Sequence, residues 1–363
     1  MTDAKTLRVL IGSIGRRVYL RQWFEQAFAG LGLPGEVHIT ETNPHSAGFG
    51  STAFRHLLPP YNDATYDSEF IGLCQDLRPD LFFSVNDFEL LALESRGLRQ
   101  QLESMGVLVL GVGDGKHWQV HDKYEMHGAL IAHGIDAVPT ALLSHAREVH
   151  DIRENSQKLI IKDRFGSGSS GLLRVAEKDW DTEIQPALSR AARLGEGTGL
   201  SAQDLLVVQP EIAGAEYGMD VVAPLASGRH GVGVLVRQKL AMRAGETDQA
   251  VTVSSTDFEE LASRLHRWLR HHGSVDVDVI ATSDGKQYVL DVNPRFGGGY
   301  PFNHLAGANL PALLLVQLAE LRHSVPEQAA AGLNASRTSI DHHLQYELGV
   351  FSSKYEGVTR EMA

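Results

Sequence analysis

The sequence predicts two kinds of sheet in one chain: a doubly wound parallel α/β domain at the N-terminus, followed by an α+β region with two subdomains of antiparallel sheet. Two observations carry that division. Up to about Val112, short β-branched and aromatic runs alternate with helical patterns, the rhythm of crossovers that parallel strands require. Beyond it, strand-like runs follow one another with few helices between them, and Ser283-Asp284-Gly285-Lys286 has the composition of a tight hairpin turn. A length of 363 residues, with 43% hydrophobic and 21% charged content, suits two or three globular units with large cores.

In order along the chain, 8–13 reads as a buried strand, 16–29 as a helix and 36–40 as the next strand. A loop rich in Asn, Pro, Gly and Ser follows. Then come a helix near 68–77, a strand at 80–85, one long helix at 87–104 and a strand at 107–110, which complete an N-terminal domain at 1–112. A helix at 122–133 opens the second region. Strands 158–162 and 172–176 flank a Gly- and Ser-rich turn at 164–171, 179–193 is helical, and 194–202 is a low-order joint. Strands at 205–209, 217–223, 231–238, 275–281 and 287–292 then dominate, with helices at 257–271 and 305–318. The second domain is expected at 113–325, with 139–207 as a lid subdomain. The tail at 326–363, rich in Ala, Ser and His, has no assignable pattern.

Composition removes several function classes. With 33 Lys and Arg against 45 Asp and Glu, the net charge is −12, which opposes bulk attraction to nucleic acid or an anionic membrane. Cys74 is the only cysteine, so an intrachain disulfide and a multi-thiolate metal site are both excluded. No uncharged apolar run approaches the roughly 20 residues of a membrane span, and the N-terminus is too interrupted for a signal-peptide core, so a cytoplasmic location is expected. A homodimer is the default oligomer. The spacing of Gly12 and Gly15 misses the G-x-G-x-x-G fingerprint of a dehydrogenase, and no Walker motif occurs. The 17 histidines show no zinc-ligand spacing.

Three constellations can carry chemistry. Lys162 ends an apolar strand just before Gly166, Gly168 and Gly171; a small-residue turn brings backbone N–H groups close to phosphate oxygens, and the lysine adds a compact charge. The same residues could equally make a surface hairpin with a solvated lysine. The second set is Asp276-Val277-Asp278-Val279 and Asp291-Val292-Asn293-Pro294-Arg295. Period-two alternation puts Asp276 and Asp278 on one face of their strand and Asp291 and Asn293 on one face of theirs. Pairing through the 283–286 turn would bring Asp278 beside Asp291, where two carboxylates and an amide make a hard oxygen set suited to Mg²⁺; Asp276 is an alternative ligand. Arg295 should point the same way, its fork suited to phosphoryl or carboxylate oxygens. The third set is Gln209-Pro210-Glu211-Ile212 with Glu216, a strand end whose backbone could meet an adenine edge and whose second acid could meet a ribose, or an ordinary loop.

Taken together, Asp122-Lys123, Leu159-Ile160-Ile161-Lys162 with its glycine-rich turn, Gln209 to Ile212 with Glu216, Asp278, and Asp291-Val292-Asn293-Pro294-Arg295-Phe296-Gly297-Gly298-Gly299 resemble the ATP-grasp superfamily. The likeness is greatest to short proteins resembling the carbamoyl-phosphate synthetase large chain, with biotin carboxylase more distant, and covers about residues 7–320. The first domain shares in it through 11–17 and 83–91. The resemblance implies an ATP-grasp fold, with ATP and Mg²⁺ as cofactors. Lys123 and Lys162 would contact the α- and β-phosphates, and the turn with Gly166, Ser167, Gly168, Ser169 and Gly171 would close over the triphosphate. Gln209 and the backbone of Pro210, Glu211 and Ile212 would hold adenine, and Glu216 the ribose. Asp278, Asp291 and Asn293 would ligate Mg²⁺. Arg295 would act on the transferred phosphoryl group, with Lys239 and Arg243 near the γ-phosphate or a substrate carboxylate. The family usually carries Glu or Gln where Asp278 stands and often Glu where Asp291 stands. The activity implied is an ADP-forming carboxylate–amine ligase acting on small molecules, with amino acids among the candidates, through an acyl phosphate; the alternatives are a bicarbonate-using synthetase- or carboxylase-like enzyme and a non-catalytic nucleotide-binding regulator.

Overall fold

Strand β1 (Leu7–Gly12) is apolar at nearly every position because both of its faces are covered, and it forms the centre of the first sheet. The computed structural model describes residues 6–166, 171–225, 231–243, 245–322 and 343–354. Around β1 lie β2 (Gly35–Glu41), β3 (Arg55–Leu57), β4 (Leu81–Ser84) and β5 (Leu108–Val109), all parallel, in the order β3-β2-β1-β4-β5. The chain therefore winds outward from β1 in one direction and, through β4, in the other, which leaves a crevice beyond the C-terminal ends of β1 and β4.

The helix expected at 87–104 is two helices, Asp87–Ser95 and Leu98–Ser104, because Gly97 sits at φ 70, a left-handed conformation that ends the first. Asn86 caps the first of them through its side-chain oxygen, which accepts from the N–H groups of Phe88 and Glu89. The helix expected at 305–318 is likewise two, Tyr300–Leu305 and Leu310–Leu321, separated at Gly307 with φ 117. The second is buried almost all round and joins the core beneath β1, so this helix from the chain's second half packs inside the first domain.

The rest of the chain makes two antiparallel sheets. A four-stranded sheet contains β6 (Ala141–Leu142), β7 (Lys158–Asp163), β8 (Leu173–Ala176) and β9 (Leu206–Pro210) in the order β6-β9-β7-β8. Helices Ala146–Glu154 and Trp180–Leu194 cover it, and the unit has its own core of Leu159, Ile161, Val175, Trp180, Ile184 and Val208. A six-stranded sheet contains β10 (Ala215–Ala223), β11 (Gly233–Arg243), β12 (Glu246–Val253), β13 (Gly273–Ala281), β14 (Gln287–Asn293) and β15 (Phe351–Ser353) in the order β14-β13-β10-β11-β12-β15. Both β12 and β15 are absent from the sequence reading, and β15 comes from the tail that showed no pattern. The remainder of that tail, 326–342 and 355–363, lies outside the described residues. Among the described residues no helix is long and apolar enough to cross a membrane.

Candidate active site

The acidic strands pair as a hairpin: Asp278 lies opposite Asp291, and Asp276 opposite Asn293. Their apolar alternates Val277, Val279, Val289 and Val292 are all sealed in the core, and that burial fixes the face the acids occupy. The register set at the turn, with Ala281 opposite Gln287, would lead Asp278 to Leu290; a register shift between Asp278 and Val279 brings Asp291 opposite it instead. Asp276 accepts from Arg237 Nη2 at 2.6 Å, while Arg237 Nη1 donates to Asp220 at 2.7 Å and Asn303 donates to the same Asp220 oxygen at 2.7 Å. Arg237 is 1% exposed, and a Cβ on Gly299 would overlap its guanidinium, so the glycine-rich turn after Arg295 closes directly over this buried cluster. Asp278 faces the open side instead.

Lys239 on β11 reaches across β10 to the acids. Its ammonium donates to Glu216 at 2.6 Å and lies 2.8 Å from Asp278. Burial pulls the lysine down, but Asp278 and Glu216 outweigh it and hold Lys239 above its ordinary value; burial holds the Asp278 carboxyl above the carboxylate range in spite of Lys239. Lys123 opens the helix Lys123–Ala132, which Asp122 caps by accepting from the N–H groups of Tyr124 and Glu125. The same Asp122 takes a bidentate bond from Arg164, and Lys123 donates to the carbonyl of Gly166 with Asp291 3.9 Å away, so the start of the glycine-rich turn is tied down on both sides. Lys162 on β7 has no such carboxylate neighbour among the described residues; burial, and after it the charge of Lys123, pushes it down to about 8.

These groups line one cleft of about 430 Å³ between the four- and six-stranded sheets, a volume typical of small-ligand sites. Lys123, Lys162, Gly166, Asp278 and Asp291 line it, with Glu216 beside Asp278 on the shared Lys239. Gln209, Pro210, Glu211 and Ile212 line it too, with Ile160, Leu172, Ile280 and Leu290 as apolar walls. Two details of the Gln209–Ile212 segment escape sequence reading. The Gln209 amide donates to Thr140 at 2.7 Å, and Glu211 N–H donates to the Lys158 carbonyl at 2.9 Å, which leaves the backbone beyond Glu211 as the part that departs from the sheet. Ser167, Gly168 and Ser169 lie outside the described residues. Gly171 is described, at φ 69, beside Asp163 and Arg190.

The remaining expected residues sit around the cleft. Asn293 lines a smaller adjoining space with Asp291, Lys123, His121 and Asp87. Arg295 donates to Asp87 at 2.7 Å and to Asn293 Oδ1 at 3.2 Å, so the first domain's Asp87, which sequence reading did not single out, aims it. Arg243, at the end of β11, is half-exposed and donates to Asp248 at 3.0 Å; its neighbours Met242 and Gly245 line the cleft, and it does not. Among the described residues no three His, Cys, Asp or Glu side chains converge as a metal site. Asp278, Asp291 and Asn293 are nevertheless hard oxygen donors that ligand oxygens would complete, which fits Mg²⁺.

A cleft with one lysine on the smaller sheet, a second at a helix start and paired acids on the larger sheet defines a nucleotide-dependent enzyme built around a triphosphate and a divalent cation. Residues 120–299 match the family model of the ATP-grasp domain, and residues 9–110 that of the PylC-like N-terminal domain. The chain thus carries an ATP-grasp domain behind a PylC-like N-terminal domain. A search of curated protein sequences finds no match. Among solved structures, the fold is similar to the biotin carboxylase domain of Hydrogenobacter thermophilus 2-oxoglutarate carboxylase, solved with MgADP, ADP and bicarbonate (12% identity, TM-score 0.66, covering 86% of this chain and 70% of that one). It is also similar to the purK N5-carboxyaminoimidazole ribonucleotide synthetase in complex with ADP (14%, TM-score 0.64, 88% and 79%). A third is the L-amino acid ligase of Bacillus licheniformis (15%, TM-score 0.61, 88% and 75%).

Proposed function

We propose that the protein is an ATP- and Mg²⁺-dependent ligase that joins the carboxylate of one small molecule to the amine of another and releases ADP. The observation that carries this reading is the pairing of Asp278 with Asp291 in the wall of a 430 Å³ cleft that Lys123 and Lys162 also line. Asp278, Asp291 and Asn293 would hold Mg²⁺, which supplies charge neutralisation at the phosphates. Lys123 and Lys162 add two positive groups there, and Lys162 is restored to full charge by the anion it meets. Glu216, already fixed by Lys239, stands where a ribose hydroxyl would bond, and the residues after Glu211 offer backbone to adenine.

The chemistry needs little covalent help from the protein. A carboxylate oxygen attacks the terminal phosphorus of ATP, the bond to the bridging oxygen breaks, and ADP leaves with that electron pair. The amine then attacks the carbonyl carbon of the acyl phosphate, inorganic phosphate departs, and the nitrogen loses its proton to water. Arg295, aimed by Asp87 and Asn293, offers its fork to the charge on the reacting oxygens. The four-stranded sheet, roughly 139–207 and with its own core, acts as the lid that keeps water from the acyl phosphate.

Incubation with ATP, Mg²⁺, hydroxylamine and a panel of carboxylic acids that includes the standard amino acids tests this. Hydroxamate and ADP should form together with at least one acid. Turnover with bicarbonate alone would favour the carboxylase-like chemistry, and tight ATP binding without turnover across the panel would favour a nucleotide-binding regulator.

A further inference from the structure

We infer that Arg17 is a substrate-binding residue, forming with Arg295 a two-arginine seat for a carboxylate of the acid substrate at the crevice between the two halves of the chain. This deepens the ligase reading and rests on it for the identity of the bound group as substrate. Arg17 follows the C-terminal end of β1, and Asp87 follows that of β4. These are the two strands between which the winding of the sheet reverses, the place where open α/β sheets receive ligands.

Two guanidiniums converge there on one carbonyl. Arg17 Nη1 donates to Phe296 O at 3.2 Å and to Val85 O at 3.3 Å, and Arg295 Nη1 donates to the same Phe296 O at 3.1 Å. Asp87 compensates Arg295, at 2.7 Å. Arg17 is compensated by nothing comparable: among the described residues no carboxylate lies within ion-pair distance of it, and its Nε and Nη2 make no hydrogen bond. Burial, and after it the neighbouring Arg295, depress its basicity. A strut linking the two loops would need only Nη1. Two further donors left over, on a charge held against a like charge, are a bidentate fork awaiting an anion.

The surroundings match that ligand. The Tyr19 hydroxyl feels Arg17, Glu246 and Arg295, and burial raises it, so it stays a neutral donor beside the seat. On the outer side, β15 delivers Lys354, whose ammonium is 2.9 Å from Glu246 and would stand 3.9 Å from a Cβ on Gly298. The tail strand thus places one more cation over the glycine-rich turn.

The test is calorimetric titration of the full-length protein with sodium acetate, sodium malonate and inorganic phosphate, each separately, and with MgATP as a control. The wild type should bind a carboxylate probe. Arg17→Gln should weaken it by about tenfold or more, the scale of one charge-assisted fork, and Arg17→Lys by less, while both keep MgATP affinity within about twofold. Equal carboxylate affinity in wild type and Arg17→Gln overturns the seat, as does a wild type that binds neither carboxylate at tens of millimolar or binds phosphate alone. If Arg17→Gln does not fold, phenylglyoxal labelling of wild-type Arg17, read by peptide mass spectrometry, decides instead: protection by malonate supports the seat, and unchanged labelling overturns it. Failure to bind MgATP would sink the ligase reading by itself, with the carboxylate titration still deciding the seat.

Discussion

The two sides of the cleft solve the problem of buried charge in opposite ways. On the six-stranded side every inward acid already has a cation: Asp220 and Asp276 share Arg237, and Glu216 and Asp278 share Lys239. On the four-stranded side Lys162 is half-buried without an ion pair among the described residues and is driven down to about 8. One side is neutralised by the fold; the other keeps a lysine that waits for its counter-ion. The difference separates charges that the fold already pairs, Glu216 and Asp278 of the cleft among them, from one that it leaves without an ion pair, although all are ionisable groups of similar appearance in the sequence.

Removing charge from each side should therefore do different damage. Arg237→Met strands two carboxylates in the core, and breaking a buried pair of this kind costs about 3–5 kcal/mol. Urea denaturation should show that loss; a change under about 1 kcal/mol would mean that Asp220 and Asp276 are less dependent on the arginine than their 2.7 and 2.6 Å bonds suggest. Lys162→Ala, by contrast, should leave stability within about 0.5 kcal/mol and remove about 1.5–3 kcal/mol of ATP binding, the worth of one charge-assisted bond. Titration calorimetry with MgATP measures it, and wild-type affinity in the mutant would remove Lys162 from the phosphate site.

What the sequence disclosed follows the same line. The facing of Asp278 and Asp291 was legible in outline, because the hairpin turn joins the two strands and the valines beside the acids fix the face, but the one-residue register shift that puts Asp291 rather than Leu290 opposite Asp278 left no signal in the sequence. The fate of Asp276 was not legible, because its partner Arg237 lies on β11, two strands away across β10. Nor was the role of Asp87, which meets Arg295 from another domain across 208 positions of sequence. Strand β12 was missed because its inward residues are Thr247, Ala250 and Thr252, small or polar side chains that leave no aliphatic alternation. Strand β15, with Phe351 and Ser353 exposed, pairs only through its backbone.

The unpaired state of Lys162 also sets a pH signature. Bound phosphates favour the charged lysine, so its pKa in the complex lies above the value of about 8 in the free protein. Affinity for ATP is then fully present below about pH 8 and falls by up to tenfold, about 1.4 kcal/mol, per unit as pH rises above it. Lys162→Arg, charged throughout this range, should flatten the profile. A wild-type profile already flat from pH 7 to about 9.5 would show that Lys162 is charged in the free protein and that the contrast between the two sides is smaller than drawn.

Arg243 is the sharpest small test, because sequence resemblance and geometry place it differently. The resemblance puts it near the reacting phosphate or carboxylate, whereas here it is half-exposed at the end of β11 and donates to Asp248 at 3.0 Å. An exposed pair of this kind is worth about 0–1 kcal/mol, so Arg243→Ala should barely move the unfolding midpoint. The informative measurement is hydroxamate formation by the same variant. If turnover stays within about threefold, the arginine belongs only to the β11–β12 hairpin. If kcat falls by about tenfold or more with stability unchanged, the side chain leaves Asp248 for the ligand when the cleft is filled. Met242 and Gly245, which flank it and already line the cleft, put that swing within the reach of one side chain.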